Sequence, residues 1–219
     1  LLSFDYKIKI FAPTKKDSTV YGSIDSTINS QLFHNANGCF NSDETKFYFT
    51  RCDTLNHCEI YVSKYGNGIW SKPKVLPAKV NEKGTNTTQP HVTMIEDKEY
   101  LFFSSNRSGG QGGLDIWHCE VLDGDTYSKP VNAGKTVNTL DPDICPYYDP
   151  KEGVLYFSST WHKGFGGFDI FKVKGKPGKF HEPENMMQPV NSSWNDFYYT
   201  INKYGSEGYF TSNRLGAFY

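Results

Sequence analysis

Two basic residues recur at one spacing from an acid: Arg51 stands eight residues before Glu59, and Arg107 eight before Asp115. On the two arms of a hairpin such residues face each other. There a guanidinium–carboxylate pair, or bonds from the carboxylate to the loop backbone, would pin the loop. Asp169 repeats the acid a third time, while Trp161 stands where the third Arg belongs. The competing reading is a repeated ligand site on one face, but recurrence favours architecture. Between the arms lie Gly109-Gly110-Gln111-Gly112-Gly113 and Gly164-Phe165-Gly166-Gly167. A phosphate cradle needs a helix N-terminus behind its glycines and usually a Lys. These glycines run into a strand, so they are expected to supply positive φ in a wide hairpin.

In the first such loop Cys52 and Cys58 stand at the mouth instead. Antiparallel flanks would bring their Cβ atoms within disulfide reach, the alternative being two unrelated thiols. A bond there would contribute about 2 kcal/mol through chain entropy and would point to an oxidising compartment. Cys39, Cys119 and Cys145 read as small buried hydrophobes. No Cys-x-x-Cys occurs and the six His have no ligand-like spacing, so neither a metal nor another cofactor is expected. There is no Gly-x-Ser-x-Gly elbow. A propeller glycosidase would need two carboxylates in a central pocket, and Asp141, Asp143, Asp149, Glu152 and Asp196 are the acids available. Most lie in turn sequences, where solvation or turn capping is the ordinary role, so the chain is expected not to be an enzyme. Trp161, His162 and Phe165, with Arg107 and Arg214 near the same face, are candidate protein-contact residues, against a plain packing role.

The elements that must position these residues come from a repeat. Phe49, Phe103, Phe157 and Phe210 each sit in an apolar run that ends in Ser or Thr, at intervals of 54, 54 and 53. Three further landmarks keep the same order: Glu59-Ile60-Tyr61, Asp115-Ile116-Trp117 and Asp169-Ile170-Phe171; an aromatic followed by Pro at Trp70, Tyr127 and Phe180; and Val-Asn at 80–81, 137–138 and 190–191. Each unit reads as four short antiparallel strands, in the second unit 89–95, 99–105, 115–121 and about 126–133, separated by turn residues. Four strands per repeat is one blade of a β-propeller, stable only when stacked on its neighbours. The expected organisation is 1–35 as an N-terminal strand (Tyr6 to Phe11) or degenerate blade, then repeats at 36–86, 87–142, 143–194 and an incomplete 195–219.

Composition agrees. Phe, Tyr and Trp make up 16% of residues, enough to build a core over pleated surfaces despite a mean hydropathy of −0.59. Net charge is −1 with no basic stripe, which argues against nucleic acid. No apolar run is long enough to cross a bilayer as a helix.

The run Phe103-Ser104-Ser105-Asn106-Arg107 through Gly112-Gly113-Leu114-Asp115-Ile116-Trp117 resembles the TolB-type, WD-like propeller repeat. More narrowly, it resembles the version found in Bacteroidota cell-envelope proteins, over roughly residues 36–219. Cys52 to Cys58 in the first unit and Thr160-Trp161 in the third depart from that pattern. The resemblance implies a non-catalytic scaffold in a periplasmic, outer-membrane-associated assembly, such as an accessory lipoprotein of type nine secretion and gliding. Its partners would be envelope proteins, with membrane association through a lipid anchor or partners and peptidoglycan reached through flanking domains. The alternative is a propeller enzyme, or a glycan- or peptidoglycan-binding module using the central channel or aromatic loops.

Overall fold

A computed structural model describes residues 10–13, 21–23, 26–30, 32–202 and 204–216. The expected strand at Tyr6 to Phe11 lies mostly outside them. The fold is all-β and propeller-like. A two-stranded sheet, β1 (Phe11–Pro13) and β2 (Tyr21–Ser23), comes first. The first blade is β3 (His34–Phe40), β4 (Lys46–Cys52), β5 (Cys58–Gly66), β6 (Ile69–Trp70) and β7 (Lys74–Val75). The second is β8 (Thr87–Ile95), β9 (Lys98–Ser105), β10 (Asp115–Leu122), β11 (Thr126–Tyr127) and β12 (Val131–Asn132). The third is β13 (Asp143–Asp149), β14 (Val154–Ser159), β15 (Asp169–Lys176), β16 (Lys179–Phe180) and β17 (Glu184–Asn185). Last come β18 (Asp196–Ile201) and β19 (Gly208–Ser212), a sheet of two.

Within each blade neighbouring strands are antiparallel, and the outermost strand expected from sequence is two short pieces, both paired to the third strand. The aromatic-to-Pro landmark explains the break. Pro73, Pro130 and Pro183 fall between the pieces, where a residue without an N–H cannot continue a ladder. Strand alternation assigns each side chain to one neighbour or the other. Phe103 and Leu101 join Tyr48, Ile60, Val62 and Val80 between the first two blades. Phe102 and Ile116 join Val137, Tyr148, Leu155 and Phe157 between the second and third. Phe47 and Phe49 turn the other way, onto Ile28 and Ile10.

The Val-Asn landmark has a specific task. Asn138 accepts from Ile116 N at 2.7 Å and donates to Ile116 O at 2.9 Å, closing both backbone groups of the central Ile in one amide. Asn81 does this for Ile60, and Asn191 for Ile170. Asn29 does it for Ile10, at 2.9 and 2.8 Å. Asn81, Asn138 and Asn191 are buried, and so is Asn29. Substituting Asn138→Ala would strand the buried Ile116 N–H on β10, while the Ile116 carbonyl keeps its bond from Ala133 N. A loss of about 3 kcal/mol is expected, read as a lower urea midpoint at unchanged slope.

Candidate functional site

The innermost strands β3, β8, β13 and β18 each carry one extra residue opposite the anchor Phe position, a β-bulge. At the bulge stand Asn37, Gln89, Cys145 and Tyr198, with φ of 41°, 57°, 57° and 59°. Left-handed backbone is uncommon for residues other than Gly, Asn and Asp, and strained positions of this kind gather at functional sites. Here the same strain recurs once per inner strand.

These four residues and those following them line one cavity of about 330 Å³, with Gly38, Cys39, Phe40, Pro90, His91, Val92, Pro146, Tyr147, Tyr199 and Thr200. All four inner strands contribute, so the cavity lies on the axis of the ring. Gln89 spans it: its Nε2 donates to Tyr198 Oη at 3.0 Å, and its Oε1 accepts from Cys145 N at 3.1 Å. Gln89 N donates to Thr50 Oγ1 at 2.9 Å, which ties the bulge to β4. Asn37 and Cys145 line the same cavity as Tyr198. His91 packs its ring 4.7 Å from Tyr147, and Tyr199 lies 4.7 Å from Tyr156.

Among the described residues the lining is uncharged. Burial lowers His91 to about 4, although its bond with Tyr148 O acts the other way, so the imidazole is neutral at pH 7. Burial pushes the Cys39 thiol up to about 12 and raises Cys145, Tyr147, Tyr198 and Tyr199. Among the described residues no Asp or Glu lines the cavity.

The acids singled out in the sequence lie elsewhere. Asp141 and Glu152 are exposed, and Asp149 accepts from Lys151 N at 2.9 Å in a turn. Asp143 and Asp196 begin the inner strands and clasp the preceding connector. Asp143 Oδ2 accepts from Thr139 N at 2.5 Å, and Asp196 Oδ2 from Ser192 N at 2.7 Å. They differ in the other oxygen. Asp196 Oδ1 accepts from Arg214 Nη2 at 2.6 Å, whereas Asp143 Oδ1 has no hydrogen-bond partner among the described residues. Burial would raise Asp196, but bonds from Ser212, Arg214 and Ser192 outweigh it and its pKa is lowered. In Asp143 burial wins, and the pKa rises from 3.8 to about 6.

The expected Arg–acid pairs are corrected. Arg107 turns from Asp115 toward the preceding blade, donating to Val80 O, to Lys79 O at 3.2 Å and to Ser105 Oγ at 3.2 Å. Arg51 likewise leaves Glu59 and donates to Ile28 O at 2.7 Å and to Asn35 Oδ1 at 2.8 Å. Arg214 donates to Pro189 O at 2.9 Å and Val190 O at 2.5 Å. In the third blade, which lacks the Arg, His162 Nε2 takes the equivalent place, 3.1 Å from Val137 O. The guanidinium reaches carbonyls of the previous connector, leaving the acid to the loop. Asp115 Oδ2 accepts from Gln111 N at 2.5 Å, and Asp169 Oδ2 from Phe165 N at 2.6 Å.

The loop glycines are also corrected in part. Only Gly109 among those nine loop residues has positive φ, +85°. At Gly112 a Cβ would stand 2.1 Å from Leu140 O, and at Gly166 2.1 Å from Trp194 O. These glycines let the loop pass close beneath the next connector. Cys52 and Cys58 form a disulfide across the mouth of the first loop.

Of the candidate contact residues, Arg107 is buried, and Arg214 and His162 are engaged in inter-blade bonds. Trp161 and Phe165 are exposed at 56% and 44%. They lie at the loop end of the third blade, while the cavity runs from the bulges toward the opposite end of the inner strands. The structure therefore does not bring the two sets together. Sequence reading missed the four axial residues. The available signal was position: each lies two residues after Asn35, Thr87, Asp143 or Asp196, at intervals of 52, 56 and 53.

No family model matches the chain, and no curated protein does. Among solved structures, a thermostable family-43 glycoside hydrolase aligns at TM-score 0.57 and 16% identity, over 88% of this chain and 71% of its own. A putative TolB from Agrobacterium tumefaciens aligns at 0.59 and 13%, over 92% and 61%. The Penicillium chrysogenum α-L-arabinanase complexed with arabinobiose aligns at 0.51 and 15%, over 88% and 57%. The chain thus spans less than two thirds of the last two. At such identities the likeness establishes the propeller fold. It also overturns the expectation that the chain is not an enzyme: two of these three structures are glycoside hydrolases, so the fold carries no presumption against catalysis.

The contrast between Asp143 and Asp196 has a consequence for stability. Because folding raises the pKa of Asp143, the native state favours its protonated form. Its contribution is full below about pH 4 and is lost as pH rises through about 6. Asp143→Asn should remove this dependence, gaining up to about 3 kcal/mol on the parent between pH 4 and pH 7. Urea melts of both proteins at the two pH values check it, and parallel pH profiles would refute the assignment.

Proposed function

We propose that this chain is a glycan-recognition propeller that takes a neutral sugar unit into its axial cavity. The observation that carries the reading is the convergence of Asn37, Gln89, Cys145 and Tyr198, all left-handed, at a cavity lined by all four inner strands. Its volume of about 330 Å³ falls within the range of small-ligand pockets, roughly 300–1,000 Å³. Amide and phenol groups offer the paired donors and acceptors that sugar hydroxyls need. The rings of His91, Tyr147 and Tyr199 offer apolar faces for the carbon skeleton. With no charged group on the wall among the described residues, a neutral ligand leaves no buried charge there unmet.

Two of the structures sharing the fold are glycoside hydrolases, one of them seen with arabinobiose. The motif resemblance points to the bacterial envelope, and the Cys52–Cys58 disulfide suits an oxidising compartment. Arabino-oligosaccharides and peptidoglycan-derived disaccharides are therefore the first probes. The envelope partners and the type nine secretion role rest on the resemblance alone, and this reading does not require them.

Titration calorimetry with arabinobiose and with a peptidoglycan disaccharide is expected to show saturable binding for one of them. Tyr198→Phe should weaken it about fivefold to tenfold, the worth of one hydrogen bond between neutral groups. Chromatography of the same mixtures reads whether a glycosidic bond is cut. Absence of binding to both sugars at millimolar concentration would sink the proposal.

A further inference from the structure

The joints between blades differ in charge at the end opposite the glycine loops, toward which the axial cavity runs. In the second blade the hairpin between β10 and β11 presents Asp125, and the first blade neutralises it with Lys46, at 2.9 Å, and Lys64. In the third blade the matching hairpin, β15 to β16, carries Lys174, Lys176 and Lys179, followed by His181. Of these only Lys176 has an acid partner among the described residues, Glu96 of the second blade at 2.9 Å. That ion pair joins two walls of a groove of about 510 Å³ between the second and third blades. Lys174, Lys179 and Glu152 line the same groove. Its base is fixed before any ligand arrives. Tyr148 is buried, stacks on Phe102 and donates its Oη to Gly175 O at 2.9 Å, while Gly175 N donates to Gly153 O at 3.0 Å.

Strand β13 joins this groove to the axial cavity. Tyr147 lines the cavity and Tyr148 the groove, and the Tyr148 carbonyl lies 3.1 Å from Nε2 of His91 on the cavity wall. We propose that the groove takes the carboxylate of an acidic sugar whose neutral neighbour occupies the axial cavity. This rests on the glycan reading of the cavity and names its ligand class, an oligosaccharide with an acidic unit. Two unpaired lysines against Glu152 leave one positive charge, which matches a carboxylate better than a doubly charged phosphate. All three side chains belong to exposed residues, so the carboxylate keeps part of its water and meets no large desolvation cost. Exposed pairs add little affinity each, and their effect is to select ligands by charge.

Calorimetry with the peptidoglycan disaccharide, which carries one carboxylate, and with the same disaccharide amidated there provides the test. The free acid is expected to bind about threefold to tenfold more tightly, with the gap closing at high salt. Lys174→Gln with Lys179→Gln should remove the gap and leave the affinity of the amide unchanged. Glu152→Gln should widen it. Equal binding of acid and amide would overturn the groove and leave the glycan reading standing. The groove is also read without an oligosaccharide, through the backbone amide resonances of Gly153 and Gly175. Shifts on adding glucuronate, and none with glucose, would support it even where neither disaccharide enters the cavity, so the two readings fail separately. No shift with glucuronate would overturn it, and shifts with inorganic phosphate alone would do so in favour of a phosphate site.

Discussion

One buried side-chain amide per blade holds the ring in register. A propeller blade must hand the chain from its outer edge to the inner edge of the next blade, and the connector that does so passes over the loop end of the sheet. Asn81, Asn138 and Asn191 fix that connector by closing both backbone groups of the central Ile on the third strand. Because these amides are buried, leaving them unpaired would cost more than the bonds contribute net, which makes the arrangement close to all-or-none. The carbonyls just before the Asn are then held where the next Arg, or His162, can reach them. Each blade is thereby pinned to the one before it by an Arg or, in the third blade, by His162, and the angle between blades follows.

That angle brings the inner strands together at the axis, where the crowding shows as bulges. An extra residue in each inner strand lets it turn, and its left-handed backbone points one residue per strand at the others. The residues found there are Asn, Gln, Cys and Tyr. Asn is the one that adopts this conformation most readily; for Gln, Cys and Tyr a glycine would relieve the strain. A sequence shaped by backbone economy alone would place Gly there. Keeping side chains with hydrogen-bonding capacity at a strained axial position is the pattern of a site whose side chains are used.

Much of the fold was legible because the repeat exposes it. The anchor Phe, the acid-Ile-aromatic triplet and the Asn recur in fixed order, and periodicity needs no knowledge of what each residue does. Other features were not legible. The bulge has no residue type of its own, since Asn37, Gln89, Cys145 and Tyr198 share only a position. The Arg–acid spacing suggested a pair because both flank one loop, yet Arg107 reaches across to Lys79 and Val80, a contact between blades that no spacing within a blade reveals. The loop glycines suggested positive φ, but Gly112 and Gly166 answer to the oxygens of Leu140 and Trp194, which come from the following connectors. The Asn29 clasp on Ile10 escaped notice because the interval from Ile10 to Asn29 is 19, against 21 or 22 elsewhere, and Lys9 stands where the other units have an acid.

Sharing a fold with hydrolases leaves the chemistry to the residues of the site, and the acids of the inner strands have a structural task of their own. A hydrolytic centre would need carboxylates aimed at the axis. Here Asp143 and Asp196 sit at the first residue of β13 and β18 and turn to the connectors, whose N–H groups they satisfy, while Asp149 at the end of β13 caps a turn. Drawing either toward the cavity would leave Thr139 N or Ser192 N without its acceptor and loosen the inter-blade joint beside it. Architecture therefore holds these acids on the connectors, and among the described residues the cavity is lined by amides, phenols, thiols and a neutral imidazole. In the proposed glycan site such groups would orient a hydroxylated ligand through hydrogen bonds between neutral partners. The strain stored at the bulges keeps them in place before the ligand arrives, so little ordering remains to be done on binding.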